Sequence, residues 1–509
     1  MAPRQVHHLF EDAFRYSIAL ARRLTRREHR ANPFVNILNM TVKSRDQFPD
    51  LTGGAGAGWR LMNSIAGAGM TMLRAIRYWP WGIRFRPRQL PPAQGDDRVD
   101  VVVVSHLTAN GHLRETDDFY FGTLAQELDA AGHKTHTLLI NHCRARAKDA
   151  RASKRRDTTI LPAFLSPVAE FKLLLRAAIA ALTLPRPESH PESHPEPEDE
   201  AKLKEHVFRR HARLAQISSR ALGDLRIGSM VSDAISQMSP RVVLHTFEGH
   251  GWERVMTAHA HQMSPPCHVA GYQHAVLFPG QKSLLHRHGN GADPDHIFTA
   301  GRITRDQLLR ESAFDDITVL GSVKATAKTP AVSFAASGAC LIAPEGTISE
   351  VMIMARLAIG AAIAGPEQKF ILRLHPVLSR AEVERKLAEL APFPANFSIS
   401  SAPLDADFAR SSWLCYRGST MAFQGVLAGL RPIYLDPDDM VQHNDPMPAD
   451  VDFRRVAQTP EELLAIIAAD QSAPHKGQAE LTSALEFAHD YVMPLAPDVL
   501  TQHVKTCLS

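Results

Sequence analysis

Short apolar runs recur along the chain, and each stops on polar residues. The pattern is sharpest between 339 and 436. Ala339-Cys340-Leu341-Ile342-Ala343-Pro344 halts at Glu345-Gly346-Thr347, and a helical pattern follows from Ile348 to Ala364. An apolar run that ends in a Gly-containing turn and enters a helix reads as a buried parallel strand feeding a helix N-terminus. Lys369 to Leu374 predicts a second strand, ending on His375-Pro376. Ser412 to Tyr416 predicts a third, ending on Arg417-Gly418-Ser419-Thr420 before a helix from Met421 to Gly429. Pro432 to Leu435 predicts a fourth, ending on Asp436.

The same grammar appears earlier. Val99 to Val104 is a strand that delivers Ser105 to His112. Phe119 to Ala131 is a helix and Thr135 to Ile140 a strand, so the three make a βαβ unit. Arg241 to Phe247 delivers Glu248-Gly249-His250-Gly251-Trp252-Glu253-Arg254, and Cys267 to Tyr272 delivers Gln273-His274. His296 to Thr299 and Thr318 to Leu320 each run toward a glycine, Gly301 and Gly321. Strands alternating with helices predict parallel, doubly wound sheets, whose ligands bind beyond the C-terminal strand ends.

Three regions follow from this pattern. Residues 1–95 form a basic helical extension, with amphipathic segments from Val6 to Arg27 and from Trp59 to Arg77, a Gly-rich stretch at 53–58, and the cluster Tyr78-Trp79-Pro80-Trp81. Residues 96–329 form a first Rossmann-like domain and 330–509 a second, closed by helices at Pro460 to Ala468 and Leu481 to Tyr491. At 509 residues the chain has room for two such cores. Ser166-Pro167 is an N-cap followed by proline at the first helical position. A tandem Pro-Glu-Ser-His repeat interrupts the first domain at 185–200, too polar and proline-rich to pack.

Charge changes the picture at the front only. The whole chain carries +3, but residues 1–95 hold 15 Lys and Arg against 5 Asp and Glu, or +10, which leaves −7 for the rest. Basic helices beside Trp and Tyr fit a segment lying on an anionic membrane surface; they equally fit a solvated extension packed on the main body. The five cysteines form no C-x-x-C pair, a reduced and cytoplasmic pattern without a disulfide framework. The pairs His259/His261 and His286/His288 do not share a helix face, so no metal site is expected. No nucleic-acid partner is expected. No apolar stretch of about 20 residues is free of polar interruptions, so no spanning helix is expected.

The predicted strand ends offer the chemistry of an anion site. Gly418-Ser419-Thr420 opens a helix, with free N–H groups and two hydroxyls. His375 can donate to a phosphate oxygen or protonate it as it leaves. Arg373 and Arg417 would add charge. Each feature alone is also an ordinary cap or turn; their recurrence at one edge is what points to a ligand.

With these residues the chain resembles bacterial surface-polysaccharide transferases of the sialyltransferase and Kdo-transferase kind, and through them the GT-B fold. Phe247-Glu248-Gly249 stands where that family has an acidic-acidic-Gly motif, His375-Pro376 where it has His-Pro, and Ser419-Thr420 where it has a later Ser-Ser or Ser-Thr. The stretches from Glu248 to Arg254 and Tyr272-Gln273-His274 also resemble surface carbohydrate biosynthesis proteins. The resemblance covers about 96–445. Phe247 departs from it at the first acidic position, and Glu345-Gly346 is a second match in the other domain.

The resemblance implies two Rossmann-type domains facing across a cleft. It implies an inverting, metal-independent glycosyltransferase without cofactor; the reduced cysteines and the basic residues 1–95 place the expected protein in the cytoplasm, peripheral to the inner face of the plasma membrane. Its donor would be a nucleotide sugar, a CMP-linked sialic-acid-like or Kdo-type sugar, and its acceptor a polysaccharide or glycolipid. Glu248 would be the base, with Glu345 the alternative, and His375 would assist the leaving phosphate. Glu345, Gly346, Thr347, Arg373, Pro376, Arg417, Gly418, Ser419 and Thr420 would line the donor side. His250, Glu253, Gln273 and His274 would line the acceptor side. Asp405-Ala406-Asp407 has metal-motif spacing but reads as a loop before the third strand. The alternatives are a CDP-polyol phosphotransferase using the same edge and a non-catalytic assembly protein retaining the fold.

Overall fold

The computed structural model describes residues 3–25, 28, 57–86, 90–93, 95, 98–151, 153, 155–185, 198–278, 282–325, 334, 336–375, 378–436, 445–448 and 451–509. Pro376, Arg26, Arg27, the glycines at 53–56 and most of the proline-rich stretch (186–197) lie outside the described residues.

Two wholly parallel sheets organise the chain. The first holds β1 (Val101–Leu107), β2 (Thr135–Asn141), β3 (Thr158–Ile160), β4 (Val242–Thr246), β5 (His268–Gln273), β6 (His296–Thr299) and β7 (Ile317–Val319), in the order β3-β2-β1-β4-β5-β6-β7. The second holds β8 (Ala339–Ala343), β9 (Phe370–Leu372), β10 (Phe397–Ile399), β11 (Ser411–Tyr416), β12 (Arg431–Leu435) and β13 (Arg455–Ala457), in the order β10-β9-β8-β11-β12-β13. Both are doubly wound, so the expected pair of Rossmann-type domains is what the structure has. Each order reverses once, between β1 and β4 and between β8 and β11, and crevices open beyond such switch points.

Both faces of each sheet are buried, which is why the strands read as near-continuous apolar runs. In β1, Val102 and Val104 pack against Met230, Val231, Ile235 and Trp252 on one side. Val101 and Val103 pack against Phe121, Leu124 and Tyr272 on the other. In β8, Cys340 and Ile342 meet Val351, Met354 and Trp413, while Leu341 and Ala343 meet Ile371 and Leu414.

The structure departs from the sequence reading in several places, among them the helix expected over 119–131, which begins only at Leu124. The three-residue edge strands β3, β10 and β13 were not legible, because so short a segment carries no periodicity. Asp405 and Asp407 lie on a helix, Leu404–Ala409, rather than a loop. The last helix, Pro497–Leu508, leaves the second domain and buries Leu500 and Val504 in the first sheet's core. The described helices of the extension pack on the main body, one of the two readings the sequence allowed. The helix Pro3–Arg23 seats Leu20 against Leu184 and Ala212, and the helix Ala57–Tyr78 seats Ala68 against Leu173, Ala177 and Leu225.

Candidate functional site

The first crevice is built at the end of β4. Thr246 ends the strand, and Glu248, Gly249 and His250 turn into the helix Gly251–Ala260, with His250 as its N-cap. Gly249 is required there: its φ is +79°, and a Cβ would fall 2.0 Å from Ser283 Oγ. Glu253, one turn into the helix, sits fully buried beneath the loop. Its Oε1 accepts from the Glu248 amide at 3.0 Å, and its Oε2 from the amides of Gly249 and His250 at 2.8 and 3.0 Å. Burial pushes its carboxyl up to about 7, against the pull of the His250 charge and the Glu248 amide. Glu253 therefore holds the turn that presents Glu248, rather than facing an acceptor.

Glu248 lies between two imidazoles. His250 Nε2 is 3.1 Å from Oε2, and His274 Nε2 is 3.0 Å from Oε1. Burial opposes charge on Glu248, but the two hydrogen-bonded histidines outweigh it and hold the carboxyl well below the usual range. His250 responds in the opposite direction. Burial again disfavours its charge, but the bond to Glu248, with the charges of Glu253, Glu248 and Asp224, raises it to about 9. At neutral pH the pair is a carboxylate beside an imidazolium.

A histidine chain lies behind this pair, at the switch point. His106, in β1, reaches His142 Nε2 with Nδ1 at 2.8 Å and Thr246 Oγ1 with Nε2 at 2.7 Å. Its ring stands edge-on to Trp252 and Tyr120. Burial and the neighbouring His142 keep His106 neutral. Tyr120 in turn packs its ring 4.6 Å from that of His274. Gln273 uses its side-chain amide locally, donating to the Ala275 carbonyl.

The second crevice is built at the ends of β8 and β11. Glu345 and Gly346 follow β8, and Thr347 caps the helix Ile348–Ala364, its hydroxyl accepting from the Glu350 amide at 3.4 Å. Gly418 turns the chain after β11 with φ +63°. Ser419 Oγ accepts from the Met421 amide at 3.2 Å, and Thr420 caps Met421–Leu427, a helix shorter than the sequence suggested. His375 follows β9; burial lowers its pKa and the Glu345 charge opposes that.

Two arginines are placed differently from the sequence expectation. Arg373 Nη1 bonds Asp407 Oδ2 at 2.5 Å and the Ala402 carbonyl at 2.9 Å, and Asp407 also binds Arg410 and Ser400. Arg417 is buried, with Nη1 3.7 Å from Glu350 Oε2. Both charges are compensated by carboxylates of the second domain; Arg417 is fully buried, where a guanidinium needs such a partner, and Arg373 is half-buried beside the buried Asp407.

One pocket joins the two crevices. His274, Ala275, Ser322 and Lys324 line it from the first domain; Thr420, Phe423 and Gln424 line it from the second. Tyr491 completes the wall and ties the domains, accepting from the Leu277 amide on its hydroxyl at 2.9 Å. Lys324 was not singled out in the sequence, where it stands in a loop without a motif. Its ammonium lies 5.6 Å from the Phe119 ring centre, and its pKa is lowered by burial while Glu248 opposes that. The pocket thus offers a cation, a carboxylate-backed imidazole and a hydroxyl-bearing turn.

No family model matches the chain, and no curated protein matches it. Solved structures do. The glycotransferase of kitacinnamycin is similar over 81% of this chain and 100% of its own, at 10% identity and a TM-score of 0.45. A UDP-GlcNAc 2-epimerase from Neisseria meningitidis, bound to UDP-GlcNAc, is similar over 81% and 99%, at 12% identity and a TM-score of 0.42. The glycosyltransferase SnogD from Streptomyces nogalater is similar over 81% and 100%, at 14% identity and a TM-score of 0.41. At these values the likeness assigns neither reaction nor substrate.

Proposed function

We propose that the protein transfers a glycosyl group from a nucleotide-activated donor, held by the second domain, to an acceptor hydroxyl held by the first. The observation that carries this is the shared pocket, with His274 and Lys324 on one wall and Thr420 on the other. The His274 imidazole takes the acceptor's proton, with Glu248 behind it. Glu248 itself is a poor proton acceptor at neutral pH, since its two histidines hold it well below the usual carboxylate range. This moves the proton acceptor from the Glu248 carboxylate to the imidazole of His274, whose Nε2 lies 3.0 Å from it. Lys324, Ser419, Thr420 and His375 neutralise the departing nucleotide phosphate, so that no metal is needed for the step. Attack from the first domain on a donor in the second inverts the anomeric centre. On the motif resemblance, the donor is a CMP-linked acidic sugar and the acceptor a surface polysaccharide or glycolipid.

A thermal-shift screen of CMP, CDP and UDP tests this, because a ligand of the folded state raises the melting temperature. The nucleotide that does so names the donor, and its sugar conjugate should be hydrolysed slowly without acceptor. His274→Ala and Glu248→Gln should each cut turnover by about 10²–10⁴-fold. Stabilisation by a nucleotide without turnover of any conjugate would make the protein a binding module.

We further propose that the protein lies on an anionic bilayer, on the inner face of the plasma membrane. Met62, Ile65, Met70, Leu73 and Ile76 stand exposed on the Ala57–Tyr78 helix. Val168, Phe171, Leu175, Ile179 and Leu182 stand exposed on the Pro167–Leu182 helix packed against it. Met62 is 69% and Leu182 75% exposed, whereas an aqueous helix turns such residues inward. Arg74, Arg77 and Lys172 are exposed on the same helices, and Trp81 is exposed just beyond the first. Apolar stripes flanked by cations suit an anionic interface. No described helix is long and apolar enough to cross a membrane.

A further inference from the structure

Far from the pocket, at the opposite end of β5, three soft donors converge. His268 opens the strand while Gln273 closes it at the pocket edge, so the two ends are about 17 Å apart at the usual rise per residue. His503 and Cys507 lie four residues apart on the helix Pro497–Leu508, and thus on one face. His268 Nε2 is 3.1 Å from His503 Nε2, and Cys507 Sγ is 3.6 Å from that same nitrogen. All three donor atoms lie within 4.8 Å of one another.

We propose that His268, His503 and Cys507 bind one zinc ion, with solvent in the fourth position. A tetrahedral zinc with ordinary bond lengths sets its nitrogens about 3.4 Å apart, and nitrogen and sulfur about 3.6 Å apart. The two spacings made by His503 Nε2 are within a few tenths of an ångström of these values, and the third pair lies within 4.8 Å. Two imidazoles and a thiol are the donor set that zinc prefers over harder cations. A carboxylate stands close behind without yet being bonded: Asp295 Oδ2 is 3.7 Å from His268 Nδ1, and is fixed by the Val269 amide at 2.8 Å and His261 Nε2 at 2.9 Å. A carboxylate behind a ligating imidazole is the usual orienting contact in zinc sites. Binding displaces the Cys507 thiol proton to solvent, so the thiolate becomes the charged ligand.

The ion would serve the fold rather than the transfer step. The Pro497–Leu508 helix reaches the first sheet after the chain has left the second domain, where Leu500 and Val504 pack into its core and Arg241 donates to the Cys507 carbonyl at 3.2 Å. A metal bridging β5 and this helix clamps the two domains' connection from behind.

The full-length protein, prepared with zinc sulfate and then exhaustively desalted, should retain about one zinc per chain by mass spectrometry. Exchange for Co2+ should give a thiolate-to-cobalt absorption band. His503→Ala and Cys507→Ser should lose both signals. Chelation of the unmutated protein should lower its melting temperature, and zinc should restore it, which keeps the test independent of whether a variant folds. Desalted protein without zinc that also shows no thiolate band in excess Co2+ would overturn the proposal. So would zinc retained at the same stoichiometry by Cys507→Ser.

Discussion

Glu253 Oε2 accepts the Gly249 amide at 2.8 Å, so a carboxylate one helical turn downstream fixes the bend that carries Glu248 into the crevice. The contact is local in sequence and joins a strand end to a helix start. Replacing Glu253 with Gln leaves one acceptor oxygen and sets an NH2 group against a buried N–H. The cost should be about 1–3 kcal/mol, the penalty of an unsatisfied buried donor, read by denaturant unfolding. Turnover should fall with it, since Glu248 and His250 lose their seat. Unchanged stability would show that the three amides find other partners.

The Glu248–His250 pair sets a pH window. His250 is raised from 6.5 to about 9, so its contribution is complete below about 6.5 and is lost as pH rises toward 9. Glu248 is held well below 4.5, so its contribution is present above 4.5 and is lost as pH falls further. The melting-temperature difference between the unmutated protein and His250→Gln should be largest between these limits and shrink from pH 6.5 to 9. A difference that grows over that interval would contradict the assignment.

Arg373 tests the separation of support from binding. Arg373→Gln leaves the buried Asp407 with Arg410 and Ser400 as partners, so the loss should be about 1.5–3 kcal/mol, that of one hydrogen bond to a charged group, read by denaturant unfolding. Nucleotide affinity, measured by calorimetry below the melting transition, should remain. Loss of affinity with full stability would return Arg373 to the donor side.

The exposed stripes predict lipid dependence. Leu175→Glu with Ile179→Glu should abolish flotation with vesicles containing phosphatidylserine, while circular dichroism stays unchanged because both side chains face outward. Binding to neutral vesicles should be weak from the start, and high salt should reduce binding to anionic ones. Equal flotation of the double variant would remove the bilayer as partner.

The sequence alone determined most of the fold. Strands buried on both faces must be apolar throughout, so β1, β4, β5, β8, β11 and β12 announced themselves, as did the polar ends at Glu248, His274 and Ser419-Thr420. Ser166 was legible as a cap because it precedes a proline at a helix start, and its hydroxyl does accept the Ala169 amide. What the sequence left open was pairing across distance. Arg373 and Arg417 read as cations beside a phosphate; only the fold brought Asp407 and Glu350 to them, 34 and 67 residues away in the chain. Lys324 and Tyr491 reach the pocket through loops and a closing helix that carry no motif. His268 and His503 stand 235 residues apart, and no spacing rule joins ligands that meet only when the last helix crosses back. Local pattern reports what a residue's own strand or helix must bury, while charge compensation and shared sites depend on which elements the tertiary structure sets side by side.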